Sequence, residues 1–181
     1  MADLYVTWDD YHHAIERLAA KIRDSGWHFN QIVCIARGGL RVGDTLSRIF
    51  RLPLAIISTQ SYAGEAGRQR GALAVAEHMT MTTPTLGDRV LLTDDLVDSG
   101  ITLNVVQRHL RERYPAIVDL RTAVLWYKAR STCRPDFHAH YLPENPWIHQ
   151  PFEPYERMSV QDLCGRAADT LAHPAGNAEA R

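Results

Sequence analysis

The stretch VLLTDDLVDSGITL, residues 90–103, joins a strand pattern, a cluster of acids and the start of a helix. Three apolar residues, Val90 to Leu92, predict a buried strand, and two adjacent carboxylates, Asp94 and Asp95, follow closely. Adjacent like charges repel each other and are costly to bury without partners. This segment therefore gives up local stability, and we expect that it binds something through its negative charge.

The segments on either side of this stretch alternate between strand and helix patterns. Thr7 and Asp10 have the spacing of a capping box, and apolar residues recur after them at helical spacing. The stretch from about residue 58 to 80 is poor in large apolar residues, which predicts a long mobile loop. The predicted strands are QIVCIA (31–36), LAIIS (54–58), RVLLTDD (89–95) and VDLRTAVLWY (118–127), and the predicted helices cover 8–24, a segment from about Leu40, and 101–114. This alternation predicts an α/β fold, a doubly wound and mainly parallel sheet flanked by helices.

The composition fits one domain and excludes some kinds of partner. The chain has 181 residues, 23% of them charged, and a formal net charge of −1 without a basic block, which disfavours nucleic acid and anionic membranes. Cys34, Cys133 and Cys164 are far apart, and the N-terminus has no signal-peptide pattern. No apolar run approaches the roughly 20 residues that span a bilayer. We expect a reduced, cytoplasmic protein that binds neither nucleic acid nor a membrane.

The acids and the residues after them have the chemistry of a sugar-phosphate site. In a parallel sheet of this kind, ligands bind at the carboxyl ends of the strands. Ser99, Gly100 and Thr102 fall where a helix begins, so free backbone N–H groups there can hold a phosphate. Asp94 and Asp95 come just before, and carboxylates accept hydrogen bonds from sugar hydroxyls and bind Mg²⁺.

Residues 90–103 resemble the signature with which type I phosphoribosyltransferases bind phosphoribosyl pyrophosphate (PRPP): an apolar run, two acids, and Asp-Ser/Thr-Gly-x-Thr. Over roughly residues 5–153 the chain resembles the bacterial xanthine-guanine phosphoribosyltransferases, in the order and spacing of YVTWD (5–9), ARGGL (36–40), SY (61–62), Lys128 and WIHQPFE (147–153). The resemblance implies a phosphoribosyltransferase domain over 1–155 with a small hood region, and a homo-oligomer, either a dimer or a tetramer. We expect a C-terminal helix and tail over 156–181, with a disordered end.

This resemblance implies transfer of the phosphoribosyl group from PRPP to a 6-oxopurine (guanine, hypoxanthine or xanthine), with Mg²⁺ as cofactor. Asp94 and Asp95 would hold the ribose hydroxyls and the metal, and Asp98 would accept the N7 proton of the purine as a general base. Arg37 to Gly39 would receive pyrophosphate, in the family often through a cis peptide, and Arg70 would lie in a closing loop. The PRPP-binding set is Arg37, Gly38, Gly39, Arg70, Asp94, Asp95, Asp98, Ser99, Gly100, Ile101 and Thr102, and the purine-binding set is Lys128, Trp147, Ile148 and Glu153.

Several features leave alternatives open. Phe152 and Glu153 stand where the family has Trp and Asp, Ile101 where it often has Gly or Lys, and KARSTCRPDF (128–137) differs from the usual Lys-Pro, so the preferred base stays open. Asp98 could serve only as a helix N-cap. A zinc site is a further alternative, formed by Cys133, His138 and His140. A structural zinc site normally has four ligands at tighter spacing. For the whole chain, the alternatives are a regulator that senses PRPP or nucleotides and a phosphoribosyltransferase for another base.

Overall fold

The computed structural model describes residues 3–61 and 73–164. Arg70, most of the predicted mobile loop and the end of the predicted tail lie outside the described residues. The helices are α1 (Trp8–Asp24), α2 (Leu40–Phe50) and α3 (Ile101–Arg113), and a 3₁₀ helix covers Glu153–Glu156. The strands are β1 (Leu4–Tyr5), β2 (Gln31–Ala36), β3 (Leu54–Ser61), β4 (Leu73–Val75), β5 (Thr80–Met81), β6 (Arg89–Val97), β7 (Asp119–Lys128), β8 (Phe137–Leu142) and β9 (Ile148–His149). Residues 160–164 are helical.

The main sheet has the order β4-β3-β2-β6-β7-β8, with β5 also paired to β3. Strands β3, β2, β6, β7 and β8 are parallel to one another, whereas β4 and β5 run antiparallel to β3. One apolar cluster packs α1 and α2 against one face of the sheet, and a second packs α3 against the other. This arrangement confirms the predicted doubly wound, mainly parallel α/β fold.

Helix α1 begins and ends where its local sequence predicts. The Asp10 backbone N–H donates to the Thr7 hydroxyl at 3.1 Å, and the Thr7 backbone N–H donates to the Asp10 carboxylate at 3.0 Å. The predicted capping box is therefore confirmed. The helix ends before Gly26, whose φ of +68° suits glycine. Its buried face consists of Tyr11, Ala14, Ile15, Leu18, Ala19 and Ile22.

The predicted loop between residues 58 and 80 contains structure that the sequence analysis missed. Strand β3 continues to Ser61, and Leu73–Val75 pairs with its end. Thr80–Met81 pairs with β3 nearer its start. Val75, Met79 and Met81 pack against the α3-side cluster, so burial of these side chains stabilises the short strands. For the described part of this segment, the prediction of an unstructured loop was wrong.

A second, two-stranded sheet joins the start of the chain to residues 147–157, where we place the predicted hood region. Leu4 lies opposite Ile148 in a parallel pair, and the Leu4 backbone N–H donates to the Trp147 carbonyl at 2.8 Å. Ile148 is 6% exposed and belongs to the α1-side apolar cluster, which fixes this ribbon on the domain. Over residues 3–61 and 73–164, no helix combines the length and the apolar character needed to cross a bilayer.

Candidate active site

Three neighbouring strands bring the predicted site residues to one edge of the sheet. β2, β6 and β7 are adjacent and parallel, so their carboxyl ends, at Ala36, Val97 and Lys128, lie on the same side. The loop after β2 contains Arg37 to Gly39, and the loop after β6 contains Asp98 to Gly100. Ligand sites of open α/β sheets form at this edge.

Asp94 and Asp95 form a partly buried acidic pair near the end of β6. The Asp95 backbone N–H donates to the Asp94 carboxylate at 2.9 Å, so the two residues are tied together. Burial raises the pKa of both carboxyls, and the charge of Asp95 raises the pKa of Asp94 further. No cationic side chain among the described residues forms an ion pair with either carboxylate. The pair is therefore poised for a cation or for hydrogen-bond donors from a ligand.

The glycine loop after β2 lies directly against this acidic pair. A Cβ atom on Gly38 would lie 2.5 Å from an Asp95 carboxylate oxygen, and a Cβ on Gly39 would lie 2.7 Å from the Thr93 carbonyl oxygen. Only glycine fits at these distances without a shift of the neighbours. The Ala36–Arg37 peptide is cis, as the resemblance implies for this loop. The exposed Arg37 guanidinium pairs with Glu156 of the hood at 3.6 Å.

The loop between β6 and α3 leads into the N-terminus of the helix through a tightly packed glycine. Gly100, the N-cap of α3, has a φ of +85°, and a Cβ atom on it would lie 2.6 Å from the Ser131 hydroxyl. Ile101 and Thr102 form the first turn of the helix, whose backbone N–H groups have no intrahelical partners. The Ser99 hydroxyl accepts from the Ile101 N–H at 3.4 Å. The hypothesis that Asp98 is only the N-cap is therefore wrong, because Gly100 takes that position.

Asp98 instead binds two cationic side chains at the end of β7. The Lys128 Nζ lies 3.4 Å from Asp98 Oδ1, and Arg130 donates to both carboxylate oxygens, with 2.6 Å from its Nε to Oδ1. The hydrogen bond from Arg130, followed by the charges of Lys128 and Arg130, holds the pKa of Asp98 below its usual value against the opposing effect of partial burial. Lys128 is only 3% exposed, so this carboxylate is the anion that balances a buried ammonium.

Of the predicted purine-binding residues, Trp147 lies beside Lys128, whereas the Glu153 side chain is paired with other residues. Trp147 is 59% exposed, with its ring centroid 6.0 Å from Lys128 Nζ, so it lies on the same side as Asp98. Its carbonyl is engaged with β1, and alternation along β9 directs the Ile148 carbonyl away from β1. The Glu153 carboxylate contacts the His149 ring at 3.3 Å and Arg157 at 3.1 Å. Both contacts of the Glu153 carboxylate are therefore with other residues of the hood.

Sequence reasoning missed Arg130 and Arg41. Arg130 follows Lys128 by two residues, and this spacing at a strand end could have suggested a shared face. The Arg41 guanidinium lies between two rings, 5.1 Å from the Trp8 centroid and 5.0 Å from the Phe152 centroid. This contact attaches the hood to α1 and α2 through cation–π interactions. No pattern in the sequence indicates it, because the three residues lie on separate elements.

The zinc alternative has no support in the described residues. Across residues 3–61 and 73–164, no group of three or more His, Cys, Asp or Glu side chains is arranged to hold a metal ion. Cys133 is buried beside Gly100, while His138 packs near Tyr127. His140 lines a separate cavity of about 420 Å³ against α1.

Comparisons with known proteins show the family of this chain. The family profile described as "Phosphoribosyl transferase domain" matches residues 7–157. The xanthine-guanine phosphoribosyltransferase of Gluconobacter oxydans is 33% identical over 149 residues, 82% of this chain and 83% of that protein. The protein with the same name from Idiomarina loihiensis is 28% identical over 91% of this chain and 94% of its own length. The crystal structure of a purine phosphoribosyltransferase from Pyrococcus horikoshii superimposes with a TM-score of 0.69 at 27% identity, covering 84% of this chain and 95% of that one. The chain therefore belongs to the phosphoribosyltransferase family.

Proposed function

We propose that this protein transfers the phosphoribosyl group of PRPP to a 6-oxopurine, with Mg²⁺ as cofactor, and releases a nucleoside monophosphate and pyrophosphate. The observation that carries the proposal is the contact between Asp98 and the buried Lys128, beside the exposed Trp147 ring. Asp98 directly follows the strand that contains the acidic pair. A carboxylate that accepts a proton and an ammonium that donates to an oxo group suit the N7 and O6 edge of a 6-oxopurine. The names of the two bacterial relatives support the same substrate class.

The acidic pair fits a divalent cation and the ribose of PRPP. Asp94 and Asp95 offer hard oxygen donors of the kind that Mg²⁺ prefers, and neither forms an ion pair with a cationic side chain among the described residues. When bound, the cation would neutralise the pyrophosphate as it leaves. The carboxylate oxygens not used by the metal would accept hydrogen bonds from the ribose 2- and 3-hydroxyls.

The two loops beside the pair would hold the phosphates. The first turn of α3, with Ser99 and Gly100 before it, would bind the 5-phosphate through backbone N–H groups. The backbone of Gly38 and Gly39 would bind the pyrophosphate, because the missing Cβ atoms allow a ligand to approach the chain there. Arg70 stays a prediction from the resemblance.

The reaction would then be a displacement at C1 of the ribose. The N9 lone pair of the purine forms a bond to C1, the bond from C1 to the pyrophosphate oxygen breaks, and the N7 proton passes to the Asp98 carboxylate. Lys128 would donate to the 6-oxo oxygen, and the Trp147 ring would stack on the purine. The Ile148 carbonyl, directed away from β1, would accept from the 2-amino group of guanine.

The pocket should discriminate by the substituent at position 6. Lys128 has three donors and no acceptor, so it cannot accept a hydrogen bond from the 6-amino group of adenine. A buried donor left facing a cation should lower kcat/KM by roughly 10³-fold or more. Hypoxanthine lacks the 2-amino group and should be used with a modest loss.

One assay tests the proposal directly. Pyrophosphate release from PRPP and Mg²⁺ is measured with guanine, hypoxanthine, xanthine, adenine, uracil and orotate. We expect turnover with the 6-oxopurines and at least about 10³-fold less with adenine. Equal rates with adenine or a pyrimidine would refute the 6-oxopurine pocket, and no turnover with any base would refute the proposed reaction.

The role of Asp98 has its own test. Asp98→Asn keeps the shape of the side chain and removes the proton acceptor, so kcat with guanine should fall by roughly 10²-fold or more. Asp44→Asn, which removes an exposed carboxylate paired with Arg48 at 3.0 Å on α2, is the matched control and should keep normal turnover. Near-normal turnover of Asp98→Asn would exclude a general-base role.

The homo-oligomeric state and the division of the chain at residue 155 stay predictions from the sequence. Sedimentation equilibrium of the full chain distinguishes a monomer from the expected dimer or tetramer.

A further inference from the structure

Arg130 is the residue most closely bound to the carboxylate of Asp98. Its Nε donates to Oδ1 at 2.6 Å and its terminal nitrogen donates to Oδ2, a two-point contact of the fork kind. The Arg130 backbone N–H is itself fixed by the Asn145 side chain at 2.8 Å. Arg130 thus reaches Asp98 from a turn that is anchored to the segment leading to Trp147.

The two oxygens of Asp98 are not equivalent. Oδ1 faces both Lys128, at 3.4 Å, and the Nε of Arg130, whereas Oδ2 faces only Arg130 among the described residues. A carboxylate oxygen has two lone pairs. Oδ1 is therefore shared between two cationic groups, whereas Oδ2 has one donor and keeps an acceptor position for a further donor.

We infer that Arg130 is a positioning residue that acts through Asp98: its guanidinium fixes the carboxylate plane and leaves Oδ2 to receive the N7 proton of the purine. This inference rests on the proposed function, because it uses the purine proton that the reaction must lose. The bond that breaks is purine N7–H and the bond that forms is Oδ2–H of Asp98. Arg130 itself neither gains nor loses a proton.

The cationic groups around Asp98 should affect the pH dependence of kcat/KM. The charged groups that face Asp98 among the described residues are Lys128 and Arg130, and both favour its ionised form. Removing Arg130 should therefore raise the pKa of Asp98 and move the acid limb of the kcat/KM profile to higher pH. Loss of the fork should also let the carboxylate rotate, which weakens proton transfer even where it is ionised.

Two substitutions separate the charge from the geometry. Arg130→Met removes both, and Arg130→Lys keeps the charge without the fork. We expect kcat/KM for guanine to fall about tenfold or more in both variants, with KM for PRPP unchanged. The acid limb should shift to higher pH in Arg130→Met and stay near its wild-type position in Arg130→Lys. Arg134→Met, which alters an exposed arginine nearby, should match the wild type.

A second measurement keeps this inference separate from the proposed function. The Asp98 carboxyl carbon is titrated by ¹³C NMR in the wild type and both Arg130 variants, without substrate. The midpoint should be lower in the wild type and Arg130→Lys than in Arg130→Met. Equal midpoints in all three, or an increase in kcat/KM for guanine in Arg130→Met, would overturn the inference. Absence of purine turnover in the wild type would refute the proposed function and with it the proton acceptor at Oδ2, while the titration would still report the Arg130 contact.

Discussion

The contact between Gly39 and β6 allows a prediction whose sign depends on two opposing magnitudes. Gly39 has φ of −72° and ψ of −8°, which alanine adopts easily. Backbone entropy alone would therefore make Gly39→Ala stabilising by about 0.4–1 kcal/mol. The new Cβ would lie 2.7 Å from the Thr93 oxygen, 2.8 Å from the Ile35 oxygen and 3.0 Å from Asp94 Cα, all backbone atoms that cannot rotate away. Overpacking of this kind costs about 1–3 kcal/mol, so the packing cost should win.

We expect Gly39→Ala to lose about 1–2 kcal/mol in urea unfolding, which corresponds to a fall in Tm of about 2–4 °C per kcal/mol for a chain of this size. Because the strain acts on the acidic pair, PRPP affinity by calorimetry with Mg²⁺ should fall about tenfold. Gly26→Ala is the matched control: its φ is +68° and no atom lies within 4 Å of the added Cβ. It should lose about 1–2 kcal/mol through backbone strain and keep normal PRPP affinity. A Gly39→Ala protein at least as stable as the wild type would refute the reasoning.

Three further predictions concern stability and reactivity. Hydrogen bonds from Thr7 hold the pKa of the Asp10 carboxyl in the folded protein below its usual value of 3.8. The contribution of Asp10 to the free energy of unfolding is therefore complete above pH 3.8 and is lost as the pH falls through the lower folded-state pKa. The stability difference between the wild type and Asp10→Asn should shrink from about pH 5 to pH 2 in urea titrations, and a constant difference would contradict this. The buried Tyr11 hydroxyl has no hydrogen-bond partner among the described residues, so Tyr11→Phe should keep or gain up to about 1 kcal/mol by calorimetry, and a clear loss would indicate a partner. Cys164 is exposed, whereas burial raises the pKa of Cys34 to about 12, so a disulfide reagent should modify the former quickly and the latter only after unfolding.

Local signals in the sequence predicted the elements that depend on local contacts. The capping box and the helical period predicted the start and the buried face of α1, because the cap and that face lie within one segment. The apolar runs of β2 and β6 predicted two buried strands, and the signature at 90–103 predicted the acidic pair near the end of β6. These features need no information about distant parts of the chain.

The features that the sequence did not predict depend on contacts between distant segments. Strands β1 and β9 have two residues each, too few for a period, and each exists only through the other. Gly100 rather than Asp98 caps α3, at a position where φ is +85° and Ser131, from a distant segment, leaves no room for a Cβ atom. Arg130 contacts Asp98 across two strand ends, so its role becomes visible only when β6 and β7 lie side by side.

The pairing of β1 with β9 also bears on the order in which parts of the protein can fold during synthesis. Leu4 leaves the ribosome first among the residues of this ribbon, and its partner Ile148 is synthesised after the whole main sheet. Bringing such distant segments together carries a loop-closure cost that only the folded sheet can reduce. The loops proposed to bind PRPP, which follow β2 and β6, can therefore be assembled during synthesis, before the hood that carries Trp147 pairs with β1. A nascent chain would thus acquire the loops proposed for the sugar phosphate before the segment proposed to contact the base.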